Sequence, residues 1–467
     1  MKLLLSSVSF VASVIATFAG TQTVTTTRDA GAGSLRAAIT AAAPGDTIAF
    51  NLPAPSTITL TTGELLIDKN LVIAGPGMDN LTVARSSAGG VSAFRIFHMG
   101  GGNLTVAVSG MTVSNGSANA VSDSGQGGGL LNESSGNVSF SECTFRENQA
   151  DTNGGGVCHD GSGTLALTDC LITGNISSFG YAGGLAAENS SGLVTLLRCT
   201  VSFSISSFQA GGIYNFSNSV MSLTDSTFSD NVLTADPNGG AGNGGGISND
   251  GTLMMTGCTI AHNTNARGSG AGMINQGTAT VVNSTFFGNT AAQDGGAVFG
   301  VGVTTLTYCT ITQNTASQEF VNGRSYNGGG GVSNFDTQFF ASTTLHDTIV
   351  AGNSSPVNPD IAGTITSQGY NLVGDATGGA ISPTIGDQIG TAGSPIDPLL
   401  RPLASNGGPT ETCALRKGSP AIDKGGRVAG ITTDQRGQRR PVNDPTVPPA
   451  PRGNNSDIGS FESRRSR

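Results

Sequence analysis

The chain has 467 residues, 71 of them glycine, with 37% apolar and only 11% charged side chains. That mixture is too apolar and too weakly charged for a disordered chain, and the glycines follow no collagen-like period, which implies many tight turns between short strands. With 22 basic against 31 acidic residues and a net charge of −9, there is no basic patch for a phosphate backbone, which argues against a nucleic-acid partner. Trp is absent and Tyr numbers 5, so aromatic platforms for sugar rings are expected to be scarce.

The N-terminus, MKLLLSSVSFVASVIATFAG, pairs Lys2 with an apolar run from Leu3 to Phe18 and a small-x-small signal, Thr17-Phe18-Ala19. Residues 1–19 therefore read as a signal peptide of an exported, secreted or cell-surface protein, with an N-terminal membrane anchor as the alternative. No later stretch reaches about 18 uninterrupted apolar residues, so no transmembrane span is expected in the mature chain. In GSLRAAITAAAPGD, Leu35, Ala38 and Ile39 share one helical face ahead of Pro44-Gly45, a short amphipathic helix able to cap one end of a fold. Residues 20–110 read as this cap plus irregular early strands such as STITL, LVIAG and LTVAV.

From 111 to 353 two phrases alternate. One condenses to apolar-x-apolar-x-x-(Cys or Ser)-(usually Thr)-apolar-x-x-Asn, and its closing position is Asn115, Asn148, Asn175, Ser204, Asn231, Asn263, Asn289 and Asn314. The other begins with glycines (GGGLLNE, GGGVCHD, GGGISND), its first apolar residue falling at 130, 157, 185, 213, 247, 273, 297 and 332. The shared period is about 27 residues, too short for a propeller blade of about 40 to 45. Alternation of apolar and polar residues over three to five positions is strand spacing. Three such strands per period, separated by bends, build an all-β, right-handed parallel β-helix of about a dozen coils spaced about 4.8 Å apart. The glycine pairs are expected to supply positive φ at a crowded corner. The recurrent Asn residues can stack amide on amide, both at the turn and in a second ladder of Asn132, Asn215, Asn249, Asn275 and Asn334. Residues 354–400 read as degenerate last coils, and 401–467 as an irregular C-terminal cap with a basic tail.

Three stretches look familiar beyond the repeat. VTTTRDAGAGSLRAAI resembles the N-terminal segment of large secreted bacterial β-helix proteins. The strings IVAGN, SQGYNLVGD and DPLLRPLASNGGPTETCALRKGSPAID…TDQRGQRRP…SDIGSFE are similar to the choice-of-anchor Q module, and the Gly-Gly-apolar and Phe-x-x-Asn repeats resemble polymorphic outer-membrane proteins. The resemblance implies a pectin-lyase-like superhelix at the cell surface and carries over no catalytic residues. Nothing after Glu462 looks like a sorting signal, anchor helix or autotransporter barrel.

Chemistry-bearing residues are mostly absorbed by the repeat. Cys143, Cys170, Cys199, Cys258 and Cys309 occupy one inward position that Ser226 and Ser284 fill elsewhere, a buried column rather than a metal site. His159 takes an Asn-ladder position, and Cys158 is expected to face outward. The outward column Glu133, Asp160, Glu188, Phe216, Asp250, Gln276, Gly300, Phe335 is different, because three carboxylates fall on consecutive coils. Facing like charges cost about 0.2–1 kcal/mol per pair. They splay into solvent, share a bound Ca2+, or include a protonated member able to act in acid/base catalysis. No other cofactor is expected. No Arg or Lys accompanies that column in the same phrase, so the leading reading is a non-enzymatic adhesive, structural or binding role toward an extracellular polysaccharide or cell-surface ligand. The alternative is a polysaccharide lyase or glycoside hydrolase. The longer connections, 116–126, 232–243 and 315–327, lie on one side, where a solenoid's binding face is expected.

Overall fold

A computed structural model describes residues 19–464 except 120–123, 189–191, 235–241, 318–327 and 335–340. Most of the signal-peptide segment and much of the two later connections lie outside the described residues. No helix among those described is long and apolar enough to cross a membrane.

The repeat winds into parallel stacks, and each regular coil resolves into four short strands distributed over three sheets. One coil runs Asn137–Ser141, Thr144–Arg146, Gln149–Ala150 and Val157–His159. Its residues pair in strict register with those of the next coil, 27 or 28 residues on: Phe140 with Leu167, Phe145 with Ile172, Ala150 with Ser177, Val157 with Leu185. The stacks hold 24, 8 and 13 strands. Alternation places Val138, Phe140, Phe145 and Val157 in a single apolar column that runs from Val24 to Val373. At the N-terminal end the helix Leu35–Ala41 buries Leu35, Ala38 and Ile39, with the Ser34 hydroxyl accepting the Ala37 N–H as N-cap.

Two bends per coil come from left-handed residues that are mostly not glycine. Glu142, Asp169, Arg198 and Asp225 have φ near 50° just before the Cys/Ser column. Glu147, Asp230 and Gln313 have φ of 55–60° just before the turn Asn, and Asn115 and Phe203, at 57° and 52°, do the same ahead of Gly116 and Ser204. The glycine corner works mainly by space instead. Only its first glycine is left-handed (Gly154, φ 64°). A Cβ on Gly155 would sit 2.3 Å from the Ile176 carbonyl oxygen and 2.6 Å from that of Gly183, so the next coil's backbone occupies the place of a side chain.

The interior carries three buried polar ladders. Where two turn Asn residues are stacked, the later one accepts on Oδ1 the backbone N–H and the Nδ2 of the Asn one coil before; Ser204 interrupts the series and gives Asn231 only its N–H. Asn148 to Asn175, Asn231 to Asn263, Asn263 to Asn289 and Asn289 to Asn314 are joined at 2.8–3.1 Å. Asn115 does not belong to this ladder. Gly116 is the residue in register with Asn148 and donates its N–H to it, so the sequence phrase is offset by one in that early coil. The second ladder runs Asn215 to Asn249 to Asn275 at 2.7 Å, with Asn132 Nδ2 donating to His159 Nδ1 at 2.9 Å. Ala187 and Gly300 interrupt it. Asn334 meets the Thr343 hydroxyl at 2.9 Å. In the third, all five expected cysteines are buried and unbridged, and Ser226, Ser284 and Thr348 accept the N–H groups of Cys199, Cys258 and Cys309.

The irregular C-terminal segment folds back along the flank of the rod. Beyond the hairpin Leu400–Ala404/Thr412–Leu415, it lies on the outward threonine column. Thr259 donates to the Glu411 carbonyl at 2.6 Å, Thr285 to Gln435 Oε1 at 2.6 Å, and Ser460 N donates to Thr310 Oγ1 at 3.0 Å. Arg436 stacks on Phe461 and Arg440 on Tyr308, at 3.6 and 4.0 Å from the ring centres.

Candidate functional site

The face that carries Val157–His159 and its copies presents one outward column, set by register as Leu66, His98, Leu131, Cys158, Ala186, Tyr214 and Ser248. Cys158 is outward in strand phase but fully buried, not partly exposed as its pattern suggested. Leu131, Ala182, Ala186, Ala210 and Tyr214 pack around it. Burial, then the neighbouring Glu188 carboxylate, pushes its thiol well above the usual range, so it is a poor nucleophile.

Next to this column stand the carboxylates singled out in sequence. Glu133 and Asp160 are exposed. Glu188 is buried and does not splay into solvent: it accepts from Gln126 Nε2 at 2.9 Å, from Asn153 Nδ2, and from the Cys158 thiol at 3.4 Å. Burial, then the charges of Glu188 and Glu133, raises the Asp160 carboxyl above its ordinary range. No group of three or more His, Cys, Asp or Glu converges as a metal-holding set among the described residues. The column ends differently from the sequence alignment. Gly300 pairs with Asn275 in the ladder, because the corner there reads Gly-Gly-Ala-Val and the strand starts one residue later; Phe335 lies outside the described residues.

The sequence phrase hid the basic partners. Glu64, Arg95 and His98 come from irregular early coils with no repeat motif to align them, yet the stacking delivers them to the same face. Glu64 binds Arg95 Nη1 at 2.9 Å and His98 Nδ1 at 2.9 Å, and His98 Nε2 meets Glu133 Oε2 at 2.7 Å. Although burial pushes Glu64 up, the His98 hydrogen bond and the Arg95 charge hold it below its ordinary value. The bond to Glu64, against burial and with help from Glu133, raises His98. A protonated His98 donates from both nitrogens and ties the two carboxylates together.

Aromatic side chains continue the face, contrary to the scarcity expected from composition. Tyr181 lies 4.6 Å from Tyr214, 4.9 Å from Phe216 and 5.1 Å from Phe208, ring centre to ring centre. Phe208 is 43% exposed. Tyr214 donates its hydroxyl to Asp250 Oδ2, and Asp250 Oδ1 accepts from Gln276 Nε2 at 2.7 Å. Four of the rings therefore fall on two adjacent coils, a concentration no count can show. Carboxylates and rings thus run continuously from Glu64 to Gln276.

The continuous apolar column and stacked parallel sheets define the class: a right-handed parallel β-helix. Among solved structures the chain is similar to that of pectate lyase Pel9A, with a TM-score of 0.50, 14% identity, and coverage of 96% of this chain and 98% of that one. A second match is the A-module of the Azotobacter vinelandii mannuronan C-5 epimerase AlgE6, with a TM-score of 0.32, 14% identity, and coverage of 78% and 93%. No family model and no curated protein matches the chain.

Proposed function

We propose that this chain is an exported β-helix protein that binds an extracellular polysaccharide along the face from Glu64 to Gln276, in an adhesive or structural role. The observation that carries this reading is the contact of the Tyr181–Phe208–Tyr214–Phe216 ring cluster with a line of carboxylates. Rings stack on the apolar faces of sugars while carboxylates accept from hydroxyls, the usual division of labour in a site for polar ligands. The apolar N-terminus and the strings resembling secreted β-helix proteins and the choice-of-anchor Q module support placement at the cell exterior. Pull-down of the purified protein on insoluble polysaccharides tests the reading. Retention should weaken on Tyr181→Ala, and no retention on any polysaccharide would overturn it.

A second reading, a glycoside hydrolase or polysaccharide lyase, is favoured by one observation. Asp160 holds its proton more tightly than an ordinary carboxyl and stands beside Glu133, which His98 fixes by hydrogen bond. A protonated carboxyl beside a fixed carboxylate is the pairing that general acid/base cleavage of a glycosidic bond uses. Appearance of new reducing ends or unsaturated products, lost on Asp160→Asn, would establish it.

A further inference from the structure

We infer that the saccharide this face takes carries free amino groups; the inference deepens the polysaccharide-binding reading and rests on it. The charge of the face sets the argument. It presents Glu64, Glu133, Asp160, Glu188 and Asp250. The basic side chains bonded into it, Arg95 and His98, are both engaged by Glu64, and His98 also by Glu133. An acidic sugar would meet a row of carboxylates whose local cations are already paired, at a cost in like-charge contact.

An ammonium group reverses each of those penalties. Asp160 is exposed, and its charged neighbours are the carboxylates Glu188 and Glu133. A cation donating to Asp160 replaces repulsion with charge-assisted hydrogen bonds. The rings one and two coils on add to this, because Tyr and Phe faces attract cations as well as the apolar side of a sugar ring. Tyr181 lies in the fields of both Asp250 and Glu188, so rings and carboxylates form one surface. A third, independent feature points to a polar ligand. Ser248, in register beside Tyr214 on the same outward column, is fully buried, and its hydroxyl has no hydrogen-bond partner among the described residues. Such a group costs stability unless something fills its bond.

Calorimetric titration of the full protein with three hexasaccharides separates the possibilities: β-1,4-linked glucosamine, its N-acetylated form, and galacturonic acid. The glucosamine hexamer should bind at least tenfold more tightly than the other two, with affinity falling as salt rises. Asp160→Asn should remove that preference, so that on this variant the glucosamine hexamer binds no more tightly than the acetylated hexamer does. Tyr181→Ala should weaken both. Because Asp160 is exposed, an unchanged thermal midpoint confirms that its variant is folded. Equal affinity for the acetylated hexamer, or a preference for galacturonate, would overturn the amino-sugar inference and leave the polysaccharide reading standing. Failure to bind any hexamer, joined to failure in the pull-down on insoluble polysaccharides, would overturn both.

Discussion

Asn353 delivers both its backbone N–H and its side-chain Nδ2 to one oxygen of Asp360, at 2.9 and 2.8 Å. The other Asp360 oxygen accepts the N–H of Asp375 at 2.7 Å. This is where the turn ladder stops. From Asn231 on, every amide donates forward to the next coil, so the last one needs an acceptor with no donor of its own, and an ionised carboxylate is that group. The Cys/Ser column ends in the same way, through Thr348 and Asn371 onto Asp387 Oδ1.

Replacing Asp360 by Ala leaves three donors without acceptors in a buried place, which should cost about 2–3 kcal/mol in denaturant unfolding. Asp360→Asn keeps an oxygen facing Asn353 and should cost clearly less. Equal losses for the two would show that volume, not the acceptor, matters.

Gly155→Ala puts a methyl where two carbonyl oxygens of the next coil already stand. It should destabilise by about 3 kcal/mol. Glu147→Gly acts in the opposite direction: Glu147 is exposed at φ 55°, at a position that Gly174 and Gly288 fill in other coils. Relief of left-handed strain exceeds the added unfolded-state entropy there, so the thermal midpoint should rise, by up to about 1 kcal/mol of stability.

The docked C-terminal segment should loosen as pH rises. Asp347 is fully buried and accepts the Gly426 N–H at 2.6 Å. Burial lifts its carboxyl to about 7, with Gly426 and Arg440 opposing and Asp387 adding to the lift. Burial likewise lifts Glu462 to about 8 and Asp423 to about 6. The folded state therefore binds more protons than the unfolded one between about pH 4 and pH 8, and stability falls across that window. Thermal unfolding followed from pH 5 to pH 8 should show the decline, and Asp347→Asn should flatten part of it. A midpoint that rises with pH over this range would contradict the assignment.

The seven cysteines should be silent toward thiol reagents until the protein unfolds. All are buried and unbridged, and burial pushes Cys143 to about 11 and Cys258, Cys309 and Cys413 to about 12. Cys258→Ser should be well tolerated, since the same column already holds Ser226 and Ser284. Rapid labelling of the native protein would disprove this.

What could be read from the sequence was what the repeat averages. Strand phase, coil length, the cysteine column and most of the two Asn ladders each recur at one offset, so alternation places them; the capping helix stands outside the repeat and was legible from its own helical spacing of Leu35, Ala38 and Ile39. Asn115 and Gly300 were misplaced because one residue of slip in a corner moves every later side chain to another column, and only hydrogen-bond register reveals it. Cys158 was misjudged because pleat direction gives the side of a strand, not what covers that side. The site itself lay mostly outside the periodic signal. Glu64, Arg95 and His98 sit in early coils without a motif, and Tyr181 and Phe208 lie on corners between phrases.

The return of residues 405–462 along the flank changes how such a rod can come apart. A solenoid whose coils touch only their neighbours frays from its ends, one turn at a time. Here the contacts of Thr410 with Gly257, Gln435 with Thr259 and Thr285, Ser460 with Thr310, and Gly426 with Asp347 fasten successive coils to one strap. The far end cannot peel away without releasing that strap, so its last coils melt together. The strap also follows those coils in chain order, and its footing exists only once they are wound. Its closure is thus the final step that turns a stack of weakly independent turns into one cooperative body.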